Sequence, residues 1–282
     1  MPGRFDNHTA FITGASSGIG RALALEFAKA GARVALAARR ESVLHEVQAH
    51  IEATGGKAIS VPCDVTDRRS LDAAVARAVE TFGGIDVAVA NAGFGVTGRF
   101  AKLNTEDFRR QFETNVFGVI DTVYAVLPHL EASRGRLGIV SSLLGHIGLP
   151  ASSAYCASKF ALCGLAETLL YELAATGVSV TSICPGIVES NIRRVDNQGV
   201  LHPDAIEQAP RFLTYPTDKA ARQIVRALYR RKPEVLITGH AKLLLWAHRH
   251  FARPFRRLAL LAIKGRIGAI ERRKRARIRP GS

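Results

Sequence analysis

Residues 9–20 read Thr9-Ala10-Phe11-Ile12-Thr13-Gly14-Ala15-Ser16-Ser17-Gly18-Ile19-Gly20. The run Thr9–Thr13 has the aromatic and β-branched content of a buried strand, and it passes directly into a glycine-rich turn. Beyond the turn, Ile19, Leu23 and Phe27 recur at i, i+4 and i+8, the apolar face of a helix. A pyrophosphate needs backbone N–H donors at a helix N-terminus and no side chain blocking its approach, and glycines at such a turn supply both. An ordinary strand-to-helix turn needs one glycine or two. Three glycines at GxxxGxG spacing, two serines and a threonine point to dinucleotide binding, with Gly14, Ser16, Ser17, Gly18, Ile19 and Gly20 as the cradle.

The same alternation continues outward. Strand-like runs at Val34–Ala38, Ala58–Cys63, Ile85–Ala90, Leu137–Ser141, Val178–Cys184 and Glu234–Thr238 are separated by helical patterns. Phe108, Phe112 and Val116 line one such helix, opening near Thr105, and a long helix runs from about Tyr155 to Ala175. Thr217 is placed to cap another. Strands joined through helices pair in parallel with right-handed crossovers, so the expected fold is α/β, a Rossmann-like doubly wound parallel sheet.

The end of the second strand discriminates between cofactors. A carboxylate about 20 residues after the turn usually holds the ribose 2′-OH of NAD. Here Ala37 and Ala38 stand at those positions and Arg39-Arg40 follows. A guanidinium binds a 2′-phosphate that a carboxylate would repel, so NADP(H) is expected, with Arg39 as the discriminating residue.

Composition sets the outer limits. The chain has 282 residues, 47% hydrophobic and 22% charged, enough for a sizeable core and too apolar for wholesale disorder. No apolar run reaches the roughly 20 residues that span a bilayer, and Met1–His8 lacks the apolar stretch of a signal peptide. From Arg230 to Ser282 there are 16 Lys and Arg against two acids, whereas the first 229 residues hold 23 basic and 22 acidic side chains. The chain is therefore read as a near-neutral domain over residues 1–240 and a basic, partly apolar C-terminal extension over 241–282. Cys63, Cys156, Cys163 and Cys184 form no CxxC pair and no metal-ligand spacing, so they are expected as buried thiols of a reducing compartment. The histidines, His146 among them, are scattered, and no metal is expected.

Tyr155 and Lys159 are four apart at the start of a helix and share one face. A tyrosine with a reference pKa near 10 exchanges protons poorly at neutrality, and a neighbouring ammonium favours its phenolate. The pair follows the fifth strand, whose C-terminal end faces the crevice where such sheets bind ligands. Together with the Thr13–Gly20 turn, Asn91-Ala92-Gly93, Ser142, Tyr155-Cys156-Ala157-Ser158-Lys159 and Pro185-Gly186, it resembles the short-chain dehydrogenase/reductase family in order and spacing over about residues 5–240.

That resemblance implies roles. Tyr155 would be the general acid or base, Lys159 would bind the nicotinamide ribose and tune Tyr155, and Ser142 would hydrogen-bond the substrate oxygen, with Ser141 structural. Asn115 would hold a water linking Lys159 to solvent. Asp64 would meet the adenine beside Val65, and Asn91, Ala92 and Gly93 would fix the fourth strand beside the cofactor. Pro185, Gly186 and Val188 would lie along the nicotinamide, with Ser190 on the pyrophosphate side. The resemblance also implies a lid between Val188 and Pro216 and a homo-oligomer formed through the helices of Asn115 and Tyr155.

Apolar residues of the lid (Ile192, Val195, Val200, Leu201, Ile206, Phe212, Leu213), of the loop after Ser142 (Leu143, Leu144, Ile147, Leu149) and Phe94 point to a lipophilic ketone, aldehyde or secondary alcohol. A 3-oxoacyl thioester is the alternative substrate, and a non-catalytic cofactor-binding scaffold the alternative from another class. The extension mixes Leu243, Leu244, Leu245, Trp246, Phe251, Phe255 and the run Leu258–Ile263 with many arginines, a composition suited to an anionic membrane surface. The expected location is thus cytoplasmic, peripheral on a membrane. Charge alone, without a binding module, does not make a nucleic-acid site, and none is expected.

Overall fold

The computed structural model describes residues 3–189, 196–198, 200 and 214–261. The strands β1 (Thr9–Thr13), β2 (Arg33–Ala38), β3 (Lys57–Pro62), β4 (Val87–Ala90), β5 (Arg136–Val140), β6 (Ser179–Cys184) and β7 (Glu234–Leu236) form one sheet in the order β3-β2-β1-β4-β5-β6-β7. Every pairing is parallel. β1 and β4 are buried along their whole length, as expected of strands covered on both faces.

One apolar layer joins the sheet to α1 (Gly18–Lys29), α2 (Glu41–Ala53) and α7 (Thr217–Tyr229) through Leu23, Phe27, Leu44, Ile51, Ile224 and Leu228. The opposite layer joins it to α3 (Arg68–Phe82), α5 (Gly118–Ser133) and α6 (Ser153–Glu172) through Leu71, Val75, Val123, Leu130, Leu162 and Ala166. Each large apolar side chain so buried contributes about 1.5–3 kcal/mol. The doubly wound architecture is the expected one. The strand order reverses between β1 and β4, and the crevice outside their C-terminal ends is where such sheets place ligands.

Two local expectations are corrected. The helix opening at Thr105 is α4 (Thr105–Phe112), capped by Asn104 in a reciprocal capping box with Asp107. It continues into a π-helical turn at Glu113–Phe117 before α5. Val116 is buried as expected, but Phe108 and Phe112 are only half-buried, and the polar Asp107, Gln111 and Asn115, spaced i, i+4, i+8, are buried beside it. Thr217 does not cap α7 either. Pro216 occupies that position, and the Thr217 hydroxyl donates to the Glu189 carbonyl at 2.7 Å.

The chain divides into two units, Met1–Ala241 and Lys242–Ser282. α8 (Gly239–His250) begins in the first and runs into the second. In the second unit Leu243, Leu244, Trp246 and Phe251 are exposed, and Trp246 lies edge-on to Phe251. Among the described residues no helix is long and apolar enough to cross a membrane.

Candidate active site

The glycine-rich turn is held from below. Gly14 sits at φ +67°, a left-handed conformation that costs a glycine little. A Cβ on Gly20 would lie 2.3 Å from the Gly14 carbonyl oxygen and 2.6 Å from Asn91 Nδ2, so the first turn of α1 packs against backbone. Thr13 Oγ1 accepts from the amides of Asn91 and Ala92 at 3.0 and 3.1 Å, and Asn91 Nδ2 donates to the Thr13 carbonyl at 2.8 Å. Asn91 therefore ties the end of β4 to the turn after β1. Thr13, read from the sequence as part of the motif only, is the other half of that clasp.

The N-cap of α1, Ser17, makes no side-chain capping bond, and no acid lies in the helix's first turn. Its leading amides, and the positive end of its dipole, are suited to an anion. The Arg40 guanidinium donates to Ser16 Oγ at 3.0 Å, which brings the second arginine of the pair to the turn. Arg39 is exposed beside it. Ala37 and Ala38 are buried and bring no carboxylate. Asp64 Oδ1 accepts from the Thr66 amide and hydroxyl at 3.0 and 2.8 Å, and Val65 is buried against Gly118.

Four elements converge on the chemical end. α6 presents Tyr155 and Lys159 on one face. The Lys159 ammonium donates to the Val140 carbonyl at 2.8 Å and lies 5.6 Å from the Tyr155 ring centroid. Burial pushes the Lys159 pKa down to about 8, opposed by the nearby Cys163 and Cys184. Ser142, buried after β5, accepts from the Leu144 amide at 3.1 Å, and the Leu143 amide bonds the Pro185 carbonyl at 2.8 Å. This links the Ser142 loop to the Pro185-Gly186 turn. A Cβ on Gly186 would lie 2.3 Å from Thr238 Oγ1, which packs that turn closely against the segment after β7. Val188 beyond it is buried. Ser190 and the lid residues Ile192, Val195, Leu201, Ile206, Phe212 and Leu213 lie outside the described residues.

Asn115 sits in the π-helical turn. It accepts from the Phe94 amide at 3.1 Å, donates to the Phe94 carbonyl at 3.0 Å, and reaches Ser158 Oγ at 3.4 Å. Gln111, four residues earlier, bonds the Val96 amide at 2.6 Å and the Phe94 carbonyl at 2.8 Å. Two buried amides thus hold the loop after Asn91-Ala92-Gly93. Gln111 was not singled out from the sequence, although its i, i+4 spacing to Asn115 places both on one helix face. The outer side of this loop is fixed by Asn197, whose amide exchanges two 3.0 Å bonds with the Thr97 backbone.

Ser141 is fully engaged in structure: its hydroxyl donates to the Lys159 carbonyl at 2.8 Å and lies 3.1 Å from Cys163 Sγ. Cys63, Cys156 and Cys184 are buried as expected, and Cys163 is half-buried. The fold brings His146 to Cys163 and Cys184, with ligand atoms within 4.8 Å of one another. Separations of 17 and 38 residues conceal this in the sequence.

Residues 8–200 match the family model for short chain dehydrogenases. The chain belongs to the short-chain dehydrogenase family. This dehydrogenase is 33% identical over 231 residues to the ketoacyl reductase HetN of Nostoc sp., covering 81% of this chain and 78% of HetN. Among solved structures, a short-chain dehydrogenase/reductase from Burkholderia phymatum in complex with NAD matches with a TM-score of 0.78 at 26% identity, covering 87% of this chain and 94% of that one. An alcohol dehydrogenase from the archaeon Thermococcus sibiricus, complexed with 5-hydroxy-NADP, matches with a TM-score of 0.71 at 28% identity over 81% and 95% of the two chains. The protein is an NAD(P)-dependent dehydrogenase/reductase.

Proposed function

We propose that this dehydrogenase transfers hydride between NADP(H) and a lipophilic ketone, aldehyde or secondary alcohol, with Tyr155 as the general acid or base. The observation that carries the reading is the buried Lys159 ammonium, fixed on the Val140 carbonyl 5.6 Å from the Tyr155 ring centroid. The open N-terminus of α1 would hold the pyrophosphate over Gly14–Gly20, Asp64 and Val65 the adenine, and Asn91–Gly93 with Pro185–Val188 the nicotinamide half. The bound cofactor supplies or accepts the hydride. In the reductive direction Tyr155 donates its proton to the carbonyl oxygen, and the Ser142 hydroxyl gives a second hydrogen bond where negative charge grows. The fixed positive charge of Lys159 stabilises the phenolate left behind. Asn115 positions the loop at Phe94 and, through a water, would link Lys159 to solvent.

The test is oxidation of NADPH and of NADH by the full chain against lipophilic ketones and aldehydes, with 3-oxoacyl thioesters included. Turnover preferring NADPH supports the proposal, and turnover confined to polyols or sugars would overturn it. A 3-oxoacyl thioester substrate is the second reading, supported by the similarity to a protein named as a ketoacyl reductase. Preference for the thioester over the simple ketone of matching chain length would favour it.

NADP(H) preference rests on the two arginines and the missing acid. Arg39→Asp and Arg40→Asp are each expected to weaken NADPH binding about 10–100-fold, the loss of one charge-assisted interaction, and to leave NADH binding nearly unchanged. Fluorescence titration of both cofactors decides it, since equal losses would remove the specificity argument.

The exposed aromatics Phe117 and Tyr124 of the π turn and α5, and Phe160 and Tyr171 of α6, support self-association through those helices. The exposed Leu243, Leu244, Trp246 and Phe251 among basic residues support attachment of the extension to an anionic membrane face. Removing Lys242–Ser282 is expected to abolish cosedimentation with vesicles containing phosphatidylserine. Equal sedimentation of the intact and shortened chains would sink that idea.

A further inference from the structure

Beside the Ser142 loop, one helical turn past Lys159 on α6, a histidine and two cysteines from three elements meet, with a carboxylate from a fourth element on the histidine. His146 follows the short 3-10 turn after Ser142, Cys163 lies on α6, Cys184 ends β6 and Glu234 opens β7. His146 Nε2 is 3.7 Å from Cys163 Sγ, 3.5 Å from Cys184 Sγ and 3.0 Å from Glu234 Oε1. Zinc ligated at about 2.3 Å by sulfur and about 2.0–2.1 Å by nitrogen holds tetrahedral S and N ligands about 3.5 Å apart. The imidazole-to-sulfur distances already match that spacing. We propose that Cys163, Cys184 and His146 bind a zinc ion, with the Glu234 carboxylate as the fourth donor.

Three further observations support the site. Gly145 has no Cβ, and one there would lie 2.7 Å from Cys163 Sγ and 2.6 Å from Ser141 Oγ, so the backbone is admitted close to the sulfur. Cys184 is buried and Ser182 Oγ stands 3.5 Å from its sulfur, a hydroxyl placed to orient a ligand. Ser141 Oγ stands 3.1 Å from Cys163 Sγ, a second hydroxyl placed beside a ligand. Two thiolates and an imidazole select zinc or its chemical analogues over hard cations such as Mg²⁺. The ion would be structural, tying β6 and β7 to the loop of Ser142 and to the helix that carries Tyr155 and Lys159.

The experiment uses the full chain, reduced, stripped with a chelator and titrated anaerobically with Co²⁺. Saturation at one equivalent per chain, with a thiolate-to-cobalt charge-transfer band bleached by added Zn²⁺, is expected. The band should be lost in Cys163→Ser, Cys184→Ser and His146→Ala and kept in Cys63→Ser, and each lost ligand should weaken Zn²⁺ binding at least about a hundredfold. Because a ligand variant could also misfold, Zn²⁺ protection of two of the four wild-type thiols from a thiol reagent serves as a second measurement. Four thiols that stay reactive, or a band that survives in folded ligand variants, would overturn the site. So would recovery of the protein 2 Da lighter with Cys163 joined to Cys184 and no affinity for the metal after reduction, which would make the pair a redox couple.

Discussion

Replacing Tyr155 by Phe is expected to lower kcat by about 10²–10⁴-fold, the usual contribution of a positioned general acid. The ring remains, so the packing of α6 and the contact with the Lys159 ammonium survive, and only the exchangeable proton is removed. NADPH affinity should change by less than about threefold, because on this reading the cofactor is held mainly by the α1 N-terminus, the arginine pair and Lys159. Steady-state kinetics and cofactor titration on the same preparation separate the two effects. A kcat within about threefold of wild type would remove Tyr155 from the chemistry, whatever the substrate proves to be.

Replacing Lys159 by Met should abolish turnover and, in the cofactor-free protein, change the pH dependence of stability in a defined direction. Burial holds the folded-state pKa at about 8 against 10.5 for the free side chain. Between those values the unfolded chain binds a proton that the folded chain has released, so the wild type gains stability as pH rises. Below pH 8 the buried charge costs on the order of 3 kcal/mol, and above 10.5 it costs nothing. Met carries no charge and loses the bond to the Val140 carbonyl, a constant penalty of about 1 kcal/mol. The stability difference between variant and wild type should therefore shift in favour of the wild type by that pH-dependent amount between pH 8 and 10.5. Urea unfolding of both proteins across this range measures it, and parallel curves would show that the lysine is not strained by its burial.

The sheet and its parallel connections were legible because both signals are local: buried strands as apolar runs and helices as a 3.6-residue period. The strand β1 agrees residue for residue with the run Thr9–Thr13. The phosphate turn was legible for the same reason, as its glycines Gly14, Gly18 and Gly20 lie close together in the chain. Where the reading failed, a capping bond or a long-range meeting intervened. On α4, the capping box takes Asp107 and the backbone at Phe94 and Val96 takes Gln111 into the buried face, while Phe108 and Phe112 stay half-buried. Arg40 reaches Ser16 across 24 residues, and His146 reaches Cys184 across 38. Neither distance leaves a trace in periodicity or motif spacing. Thr13 was visible but its task was not, since its partners Asn91 and Ala92 lie 78 and 79 residues away.

That clasp also bears on the order in which the molecule comes together. β1 cannot meet β4 until the chain has closed a loop of nearly eighty residues, and such non-local pairing is slow relative to the local helices that precede it. A ribosome that has released only the first βαβ unit has made the phosphate turn without the strand that steadies it. Binding competence therefore arrives late, with the first contacts that join the two halves of the sheet. A nucleotide captured at that stage favours the joined form by mass action, so cellular cofactor supply acts on the yield of folded protein as well as on its turnover.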